Sequence, residues 1–440
     1  MSLRFGTDGI RADARDILTT SVVAALGRAG AEVLGADALV VGRDTRESGA
    51  SLSAALHAGV HAAGGESVDL GVVPTPAVAL WCAEEGVAGA VISASHNPWH
   101  DNGVKFFAPG GTKLGDAVQD EIQARFDELL SESHTPIDGS GTDRHADAVE
   151  RHVASICASV GPGALDGLRV VADAANGASS TVVAEVFGRL GADITVIHAE
   201  PDGRNINDQC GSTHPESLQA AVIAEGADLG VAFDGDADRL VAVDGSGEIV
   251  DGDQIIAICA LDRHERGTLA GDAVVVTVMT NLGFRRSMDE AGIHIVDTKV
   301  GDRYVLEALD AGGYSLGGEQ SGHVIFRQLA STGDGVLSAV QLLDVVARTG
   351  RTLGDLAASS MTRLPQVLRN VRVANRPDDV DAVLAPFVDA SMGRMAGRGR
   401  VLIRPSGTEP LIRVMVEAET DAEAQMEADG LVAAVESLFG

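Results

Sequence analysis

Ser95 and His96 are adjacent in the stretch GAVISASHNPWH, which runs from Gly89 to His100. A nucleophilic serine needs a histidine that converges on it and a third group that orients the imidazole. Neighbouring side chains on an extended segment point in opposite directions, so we expect these two not to form such a pair. The hydrolase turn G-x-S-x-G is also absent here. A hydroxyl at a strand end, followed by the stiff turn of Pro98, favours a serine that carries a phosphoryl group, and the alternative is a serine that only caps a turn.

Three carboxylates, those of Asp234, Asp236 and Asp238, fall within five residues in the stretch FDGDADR. Such crowding is unfavourable unless a cation neutralises it, and oxygen ligands favour Mg²⁺ or Ca²⁺. A calcium-binding loop would need glycine at its sixth position and glutamate at its twelfth, which are Arg239 and Gly245 here. The pattern therefore favours Mg²⁺ with positions left open for a phosphate oxygen. The alternative is a solvated acidic turn.

A third stretch, RPSGTEPLIR, combines two guanidinium groups, two hydroxyls and a glycine: Arg404, Ser406, Gly407, Thr408 and Arg413. Guanidinium forks, hydroxyls and exposed backbone amides together are typical of a phosphate-binding site. The stretch differs from the nucleotide P-loop, which requires G-x-x-x-x-G-K-[ST]. A plain hairpin turn is the alternative.

A fourth stretch, GGEQSGH, places Glu319, Ser321 and His323 in a glycine-rich loop. Acceptors and donors at this spacing suit recognition of a polyol, although a loop histidine with a structural role is the common case. Together the four stretches supply a phosphoryl acceptor, a metal site, an anion site and residues that bind hydroxyl groups. Phosphoryl transfer consists largely of positioning and charge neutralisation, and these are its parts.

Short apolar runs alternate with amphipathic segments along most of the chain, which predicts βα units. The predicted strands are residues 38–44, 89–95, 168–174, 193–199, 228–234, 272–278 and 293–299. Helices are predicted at 48–65 and 180–192, each closed by a glycine. Most strands are expected to be buried and parallel. Several end in polar residues, and open parallel sheets bind ligands at the carboxyl ends of their strands.

The length of 440 residues exceeds that of one ordinary domain. A linker is predicted at 131–145, with further boundaries near 243–254 and 359–370, and two strands and a helix follow in the last part of the chain. We therefore expect an α/β protein of three similar βα domains, with mixed, mostly parallel sheets, and a smaller C-terminal α+β domain. The expected domains are 1–146 (phosphoserine), 147–250 (metal), 251–365 (sugar) and 366–440 (phosphate).

Composition excludes several classes of partner. The net charge of −31 repels phosphate backbones, and an aromatic content of 3% is too low for base-stacking surfaces, so no nucleic acid is expected. Four scattered cysteines are typical of a reducing compartment. Neither an export signal nor an apolar run of membrane-spanning length is found, so a cytoplasmic protein without a membrane partner is expected.

With these residues in hand, the chain resembles the α-D-phosphohexomutases over essentially its whole length. The family's motifs occur in the family's order: FGTDGIRA, SASHNP, DGDADR, TKVGDRYV, GGEQSGH and RPSGTEP. The stretches FGTDGIR and GRNIN..CGSTHPE and the glutamine of GEQSGH resemble the family's glucosamine branch. Trp99 and His100 depart from the usual residues after SHNP, without affecting the serine or the aspartates.

The resemblance implies four domains around one central cleft and an intramolecular phosphotransferase. The implied reaction interconverts glucosamine 6-phosphate and glucosamine 1-phosphate, through a phosphoserine and a sugar 1,6-bisphosphate, to feed UDP-N-acetylglucosamine and cell-wall synthesis. A phosphomannomutase/phosphoglucomutase of the same family is the alternative. Two further alternatives are a phosphatase with the same metal site and a non-catalytic sugar-phosphate sensor.

The resemblance also implies a role for each candidate residue. Ser95 would carry the phosphate and complete the coordination of Mg²⁺ held by Asp234, Asp236 and Asp238. Arg11, His96, Lys105 and Arg239 would surround the transferring group, with Arg11, Lys105 and His323 as candidates for proton transfer. Glu319 and Ser321 would hold sugar hydroxyls, with Lys299 and Arg303 nearby, and Arg404, Ser406, Gly407, Thr408 and Arg413 would grip the other phosphate. The expected partners are a phosphosugar, a second copy in a homodimer, and a kinase that primes Ser95 unless it phosphorylates itself.

Overall fold

The computed structural model describes residues 3–6, 8–130, 139–374, 379–405 and 410–440. It divides into two compact units. The first comprises Met1–Met279 with Gly292–Ser359, and the second comprises Thr280–Ala291 with Ser360–Gly440. Each unit is described separately below.

The first unit begins with a six-stranded sheet in the order β1-β5-β4-β2-β3-β6. Its strands are β1 (Ile10–Asp13), β2 (Ala38–Arg43), β3 (Glu66–Val72), β4 (Ala88–Ile92), β5 (Asp101–Phe107) and β6 (Thr142–Asp143). Its helices are α1 (Thr20–Leu34), α2 (Gly49–Ala62), α3 (Thr75–Glu85), α4 (Asp116–Leu130) and α5 (His145–Ala158). Helices α1, α2 and α4 share one apolar core with the sheet, and α3 and α5 share another. Both faces of the sheet are therefore covered, which explains the continuous apolar run of β4.

A five-stranded sheet in the order β11-β10-β9-β7-β8 follows. Its strands are β7 (Arg169–Asp173), β8 (Asp193–Ile197), β9 (Leu229–Phe233), β10 (Leu240–Asp244) and β11 (Ile249–Val250). Its helices are α6 (Val183–Arg189) and α7 (Glu216–Glu225), with a short 3₁₀ turn at Ala178–Thr181. Strand β9, in the middle of the sheet, is buried along its whole length.

The third sheet of the first unit has four strands in the order β13-β12-β14-β15. They are β12 (Ala273–Thr277), β13 (His294–Thr298), β14 (Leu316–Gly318) and β15 (Val324–Phe326). The helices of this part of the chain are α8 (Gly252–Glu265), α9 (Leu282–Ala291), α10 (Asp302–Gly312), α11 (Gly335–Thr349) and α12 (Leu353–Ser360), of which α9 belongs to the second unit.

The second unit contains an antiparallel sheet in the order β16-β18-β17. Its strands are β16 (Gln366–Arg372), β17 (Arg400–Pro405) and β18 (Leu411–Glu417), and its helices are α13 (Val380–Met395) and α14 (Asp421–Phe439), besides α9. Alternate residues Ile412, Val414 and Val416 of β18 are buried in one core with residues of α14. Arg413, between the first two, is exposed, whereas Met415 and Glu417 are also buried, so only the first part of β18 has one uncovered face.

All seven predicted strands and both predicted helices are present, and the three sheets of the first unit are mixed and mostly parallel, as expected. The predicted linker is only partly described: residues 131–138 lie outside the described residues, while Thr142–Asp143 extend the first sheet as β6. That end of the linker is therefore part of the fold. The two strands and the helix predicted for the end of the chain are β17, β18 and α14.

The three sheets of the first unit share one construction. In each, a central strand that pairs in parallel is followed directly by an antiparallel neighbour: β4 by β5, β9 by β10, and β14 by β15. The connecting residues are 93–100, 234–239 and 319–323. They contain SASHNP, DGDADR and EQSGH, so three of the four predicted motifs occupy the same turn of a repeated unit, at the carboxyl end of its central strand. Among the described residues, no helix combines the length and apolarity needed to span a membrane.

Candidate active site

Ser95 follows β4 in a left-handed backbone conformation, with φ of 52°, and its side chain is fully buried. Its Oγ donates a hydrogen bond of 2.6 Å to Oδ2 of Asp234. The Oγ atom also lies 3.2 Å from Nδ1 of His96. The expectation that these two side chains diverge is therefore wrong, because the segment is not extended at Ser95. Burial, together with the charges of Arg239 and Arg11, lowers the pKa of His96 to about 4.

Asp234, Asp236 and Asp238 converge in the turn after β9, with one oxygen from each within 4.8 Å of the others. All three are buried, and Oδ1 of Asp236 has no hydrogen-bond partner among the described residues. Burial, reinforced by the charges of Asp238 and Asp236, raises the pKa of Asp234 to about 7. A cation would relieve this repulsion and satisfy the free oxygen, so the residues fit a hard divalent metal such as Mg²⁺.

The first sheet supplies two groups that hold the carboxylates in place. Thr75, the first residue of α3, donates from Oγ1 to Oδ2 of Asp236 at 2.6 Å. The buried ammonium of Lys105 lies 2.8 Å from Oδ2 of Asp236 and 3.4 Å from Oδ2 of Asp238. Although burial opposes the charge, Asp236, Asp8 and Asp238 raise the pKa of Lys105 well above its usual value.

Asp8, which is not among the site residues predicted from the sequence, forms ion pairs with the neighbouring cationic side chains. It pairs with Lys105 at 2.9 Å, with Lys113 at 2.7 Å and with Arg11. Burial opposes its ionisation, but Lys105, Lys113 and Arg11 hold the pKa of Asp8 well below its usual range. Lys113 also contacts Asp302 of α10 at 2.5 Å, which links the first and third sheets. The only signal for Asp8 was its place in the motif FGTDGIR.

The turn after β14 brings Glu319 and His323, from the stretch predicted to bind hydroxyl groups, close to Asp238. His323 lies with Nε2 3.0 Å from Oδ1 of Asp238 and with Nδ1 3.3 Å from Oε2 of Glu319. The other oxygen of Glu319 accepts the backbone N–H of Gly301 at 2.9 Å. Burial disfavours the imidazolium, yet Asp238 prevails and raises the pKa of His323 to about 10. Nε of Arg239 lies 3.3 Å from Nε2 of His323, and the positive charge of Arg239 opposes this rise in the pKa.

A cavity of about 400 Å³ opens on these groups. Its walls include Arg11, Arg239, Glu319, Gln320, Ser321 and His323. The cavity is thus lined by cationic groups together with neutral and acidic acceptors, a set that suits a small ligand with both phosphate and hydroxyl groups.

Two residues predicted to lie near the sugar, Lys299 and Arg303, are not among the residues that line this cavity. Lys299 is exposed and stands 5.8 Å from the ring centroid of Tyr304. Arg303 is buried and donates to Oδ1 of Asp116 at 2.5 Å and to the carbonyl of Leu114. Its guanidinium therefore ties α10 to the residues around the start of α4 and is not among the groups that line the cavity.

The predicted phosphate-binding residues belong to the second unit. Arg404 and Arg413 are paired across β17 and β18. Burial, together with the charge of Arg413, lowers the pKa of Arg404. Ser406, Gly407 and Thr408 lie outside the described residues.

Four family models match this chain in succession. They describe the phosphoglucomutase/phosphomannomutase α/β/α domains I (residues 2–133), II (143–247) and III (251–364), and the C-terminal domain (368–434). The chain belongs to this family, the α-D-phosphohexomutases. The fold expected from the sequence, three α/β domains and a smaller C-terminal one, is therefore confirmed.

Relatives of this phosphohexomutase are similar to it over nearly their full lengths. The phosphoglucosamine mutase of Frankia casuarinae is 52% identical over 448 residues, covering 98% of this chain and 97% of that protein. The phosphoglucosamine mutase of Moorella thermoacetica is 50% identical and covers 97% of each chain.

Two solved structures show the same fold. A phosphoglucomutase/phosphomannomutase family protein from Burkholderia thailandensis superposes with a TM-score of 0.80 at 27% identity, covering 98% of this phosphohexomutase and 97% of that chain. The N-acetylphosphoglucosamine mutase of Aspergillus fumigatus, in complex with GlcNAc-6P and magnesium, superposes with a TM-score of 0.71 at 19% identity, covering 99% and 96%.

Proposed function

We propose that this phosphohexomutase interconverts glucosamine 6-phosphate and glucosamine 1-phosphate, with Ser95 as the carrier of the phosphoryl group. The observation that carries the proposal is the buried contact of 2.6 Å between Oγ of Ser95 and the carboxylate of Asp234, beside a second and a third aspartate. The choice of amino sugar is supported by relatives about half identical over the whole chain, which are named phosphoglucosamine mutases.

Asp234, Asp236 and Asp238 would hold one Mg²⁺, with an oxygen of phospho-Ser95 completing the set. The bound cation would neutralise charge that develops on the transferring phosphoryl group. Thr75 and Lys105 orient two of the carboxylates, since both contact Asp236 and Lys105 also contacts Asp238. For Thr75 this contribution is positional and needs no proton movement.

In the proposed first step, the bond from phosphorus to Oγ of Ser95 breaks and a bond to a hydroxyl oxygen of the sugar phosphate forms. This gives a sugar 1,6-bisphosphate and leaves the serine hydroxyl, which takes up a proton equivalent to the one that the sugar hydroxyl releases. Arg11, Lys105 and His323 are the candidates for moving that proton. His96 and Arg239 stand beside the serine and complete the cationic surroundings of the phosphoryl group.

The bisphosphate then turns end for end, and its other phosphate returns to Ser95. Glu319, Ser321 and the neighbouring Gln320 would hold sugar hydroxyls in both orientations, because they line the cavity. Arg404 and Arg413 would bind whichever phosphate is not being transferred. We propose the domain limits 1–146, 147–250, 251–365 and 366–440, so that each domain contributes one of these tasks. The cycle requires that Ser95 be primed once, by a kinase or by the chain itself.

The test compares glucosamine, glucose and mannose 6-phosphates as substrates, with the products identified by phosphorus NMR. We expect the highest kcat/KM for glucosamine 6-phosphate, with formation of the sugar 1-phosphate and without release of inorganic phosphate. The matched control is Ser95→Ala, which should abolish turnover of all three sugars. A higher kcat/KM for mannose or glucose 6-phosphate would contradict the choice of sugar, and stoichiometric release of phosphate would identify a phosphatase.

A further inference from the structure

The side chain of Arg46, just beyond the end of β2, is completely buried, and among the described residues its hydrogen bonds go to the loop around Ser95, to the first residue of β5 and to Asp44. Its Nη2 group donates to the carbonyls of Ser95 and Asn97 at 2.9 and 2.8 Å. Its Nη1 group donates to the carbonyls of Asp101, at 2.9 Å, and Pro98. With the bond from Nε to Asp44, all five guanidinium donors are used.

Asp44 accepts the remaining hydrogen bond of the Arg46 guanidinium. Its Oδ2 accepts from Nε of Arg46 at 2.8 Å and from Oγ of Ser93 at 2.6 Å, and its side chain is fully buried. A buried carboxylate persists only with such partners. The pair therefore has no role toward solvent, and its guanidinium is fixed in direction.

A second group from a different sheet binds the same two carbonyls. Nδ2 of Asn207, in the loop before α7, donates to the carbonyls of Ser95 and Asn97 at 2.9 and 3.2 Å. Each of these carbonyls thus receives two donors, one from the first domain and one from the second. We call Arg46 and Asn207 the carbonyl clamp.

The clamp acts on a residue whose backbone conformation is unfavourable. Ser95 has φ of 52°, a conformation that serine rarely adopts without external support. Gly235 packs closely against the carbonyl group of Ser95. A Cβ atom at position 235 would be 2.6 Å from the oxygen of Ser95. Only a correctly held loop therefore brings Oγ of Ser95 to 2.6 Å from Asp234.

We propose that Arg46 is a positioning residue for phosphoryl transfer: it holds the loop carbonyls so that the Ser95 side chain is directed at the aspartates. The inference rests on the proposed function of Ser95 and adds a residue that is not among the walls of the cavity. Since the clamp acts on the geometry of the carrier and not on the sugar, its loss should change kcat and leave KM nearly unchanged.

The test uses Arg46→Lys, Arg46→Met and the double variant Asp44→Asn with Arg46→Met, assayed with glucosamine 6-phosphate. A displacement of the carrier by about 1 Å is expected to lower kcat roughly 10²-fold, with KM within about threefold of the wild type. Lysine should not restore kcat, because a single ammonium cannot reproduce the five-donor fork. The matched control is Arg43→Met, at the end of the same strand, whose guanidinium contacts Asp69 at 3.2 Å and not the loop.

The double variant separates position from stability, because it removes the buried charge together with its partner. We expect its melting temperature near that of the wild type and its kcat as low as in Arg46→Met. A double variant with wild-type kcat would overturn the proposal, as would equal losses in Arg43→Met. Should the Arg46 variants fail to fold, Asn207→Ala decides in their place, with about a tenfold loss of kcat expected from half of the clamp, and unchanged kcat overturning it.

The outcome is distinguishable from a failure of the proposed function. If Ser95 is not the carrier, the Ser95→Ala variant with Arg46 unchanged will retain mutase activity, whatever the Arg46 variants show. If Ser95 is the carrier and Arg46 is irrelevant, Ser95→Ala will be inactive while the Arg46 variants keep their kcat.

Discussion

Arg404 and Arg413 lie directly opposite each other on the antiparallel strands β17 and β18. Like charges in this register are destabilising, and the pKa of Arg404 is lowered by burial and by Arg413. An anion placed between the two guanidinium groups would turn this repulsion into attraction. This register is consistent with the proposal that the two arginines bind a phosphate group.

We therefore expect inorganic phosphate to raise the melting temperature of the wild-type chain more than that of Arg404→Gln. The variant should also raise KM for glucosamine 6-phosphate by roughly tenfold or more, since a hydrogen bond to a charged group contributes about 1.5–3 kcal/mol. The matched control is Arg369→Gln in β16, whose guanidinium donates to Gln425. Equal phosphate shifts in the wild type and in Arg404→Gln would contradict this account.

Thr75→Val is expected to weaken metal binding without unfolding the protein. The substitution removes the bond of 2.6 Å to Asp236 while keeping the shape of the side chain. Loss of such an orienting bond typically lowers metal affinity about 10–100-fold. The measurement is the Mg²⁺ concentration that gives half-maximal turnover.

The control for this experiment is Thr349→Val at the end of α11, whose hydroxyl donates only to the carbonyls of Val345 and Val346. It should leave the Mg²⁺ requirement unchanged. An unchanged requirement in Thr75→Val as well would show that Asp236 is not oriented by the threonine.

Lys113→Met should destabilise the chain by about 3 kcal/mol, because removing one member of a buried ion-pair network leaves its partners uncompensated. Lys113 is nearly buried between Asp8 and Asp302, at 2.7 and 2.5 Å. Lys299→Met is the matched control, since this lysine is exposed, and its effect should stay within about 0.5 kcal/mol. Urea denaturation of the three proteins measures the difference, and equal midpoints would rule out a structural role for Lys113.

His57 should make the fold sensitive to acid. It is buried on α2, both ring nitrogens lack hydrogen-bond partners among the described residues, and burial lowers its pKa to about 4. The unfolded chain binds the proton of His57 more tightly than the folded chain does. The free energy of unfolding is therefore not lowered by His57 above pH 6.5, and it decreases as the pH falls toward 4. The loss reaches about 3 kcal/mol when the shift is converted.

His57→Leu removes the titrating group while keeping an apolar side chain of similar size. We expect the melting temperatures of the variant and the wild type to draw apart as the pH is lowered from 7 to 5, in favour of the variant. Parallel pH profiles for the two proteins would mean that His57 does not titrate on unfolding.

Much of the site follows from the sequence because its residues stand at strand ends. Ser95 and Asp234 each come shortly after a buried apolar run, and such runs predict both a strand and the edge at which its carboxyl end lies. The pairing of Ser95 with Asp234 across 139 residues follows once the two edges meet. Local pattern was therefore sufficient to predict that Ser95 and the three aspartates follow the ends of buried strands.

Other features depend on geometry that no local pattern encodes. The contact between Ser95 and His96 arises from a positive φ at a residue that usually avoids it. Arg46 and Asn207 reach the Ser95 carbonyl from 49 and 112 residues away, so their spacing carries no signal. Arg303, which the resemblance places near the sugar with Lys299, also donates to Asp116, 187 residues away, and no local pattern indicates that contact.

The central claim, that Ser95 carries the phosphoryl group between the two ends of the sugar, is tested most directly by following that residue during turnover. The chain is labelled with radioactive phosphate at Ser95, mixed with unlabelled glucosamine 6-phosphate and quenched at successive times. We expect the label to leave Ser95 at least as fast as one turnover and to appear in sugar phosphates. Label that stays on the protein while product accumulates would contradict it.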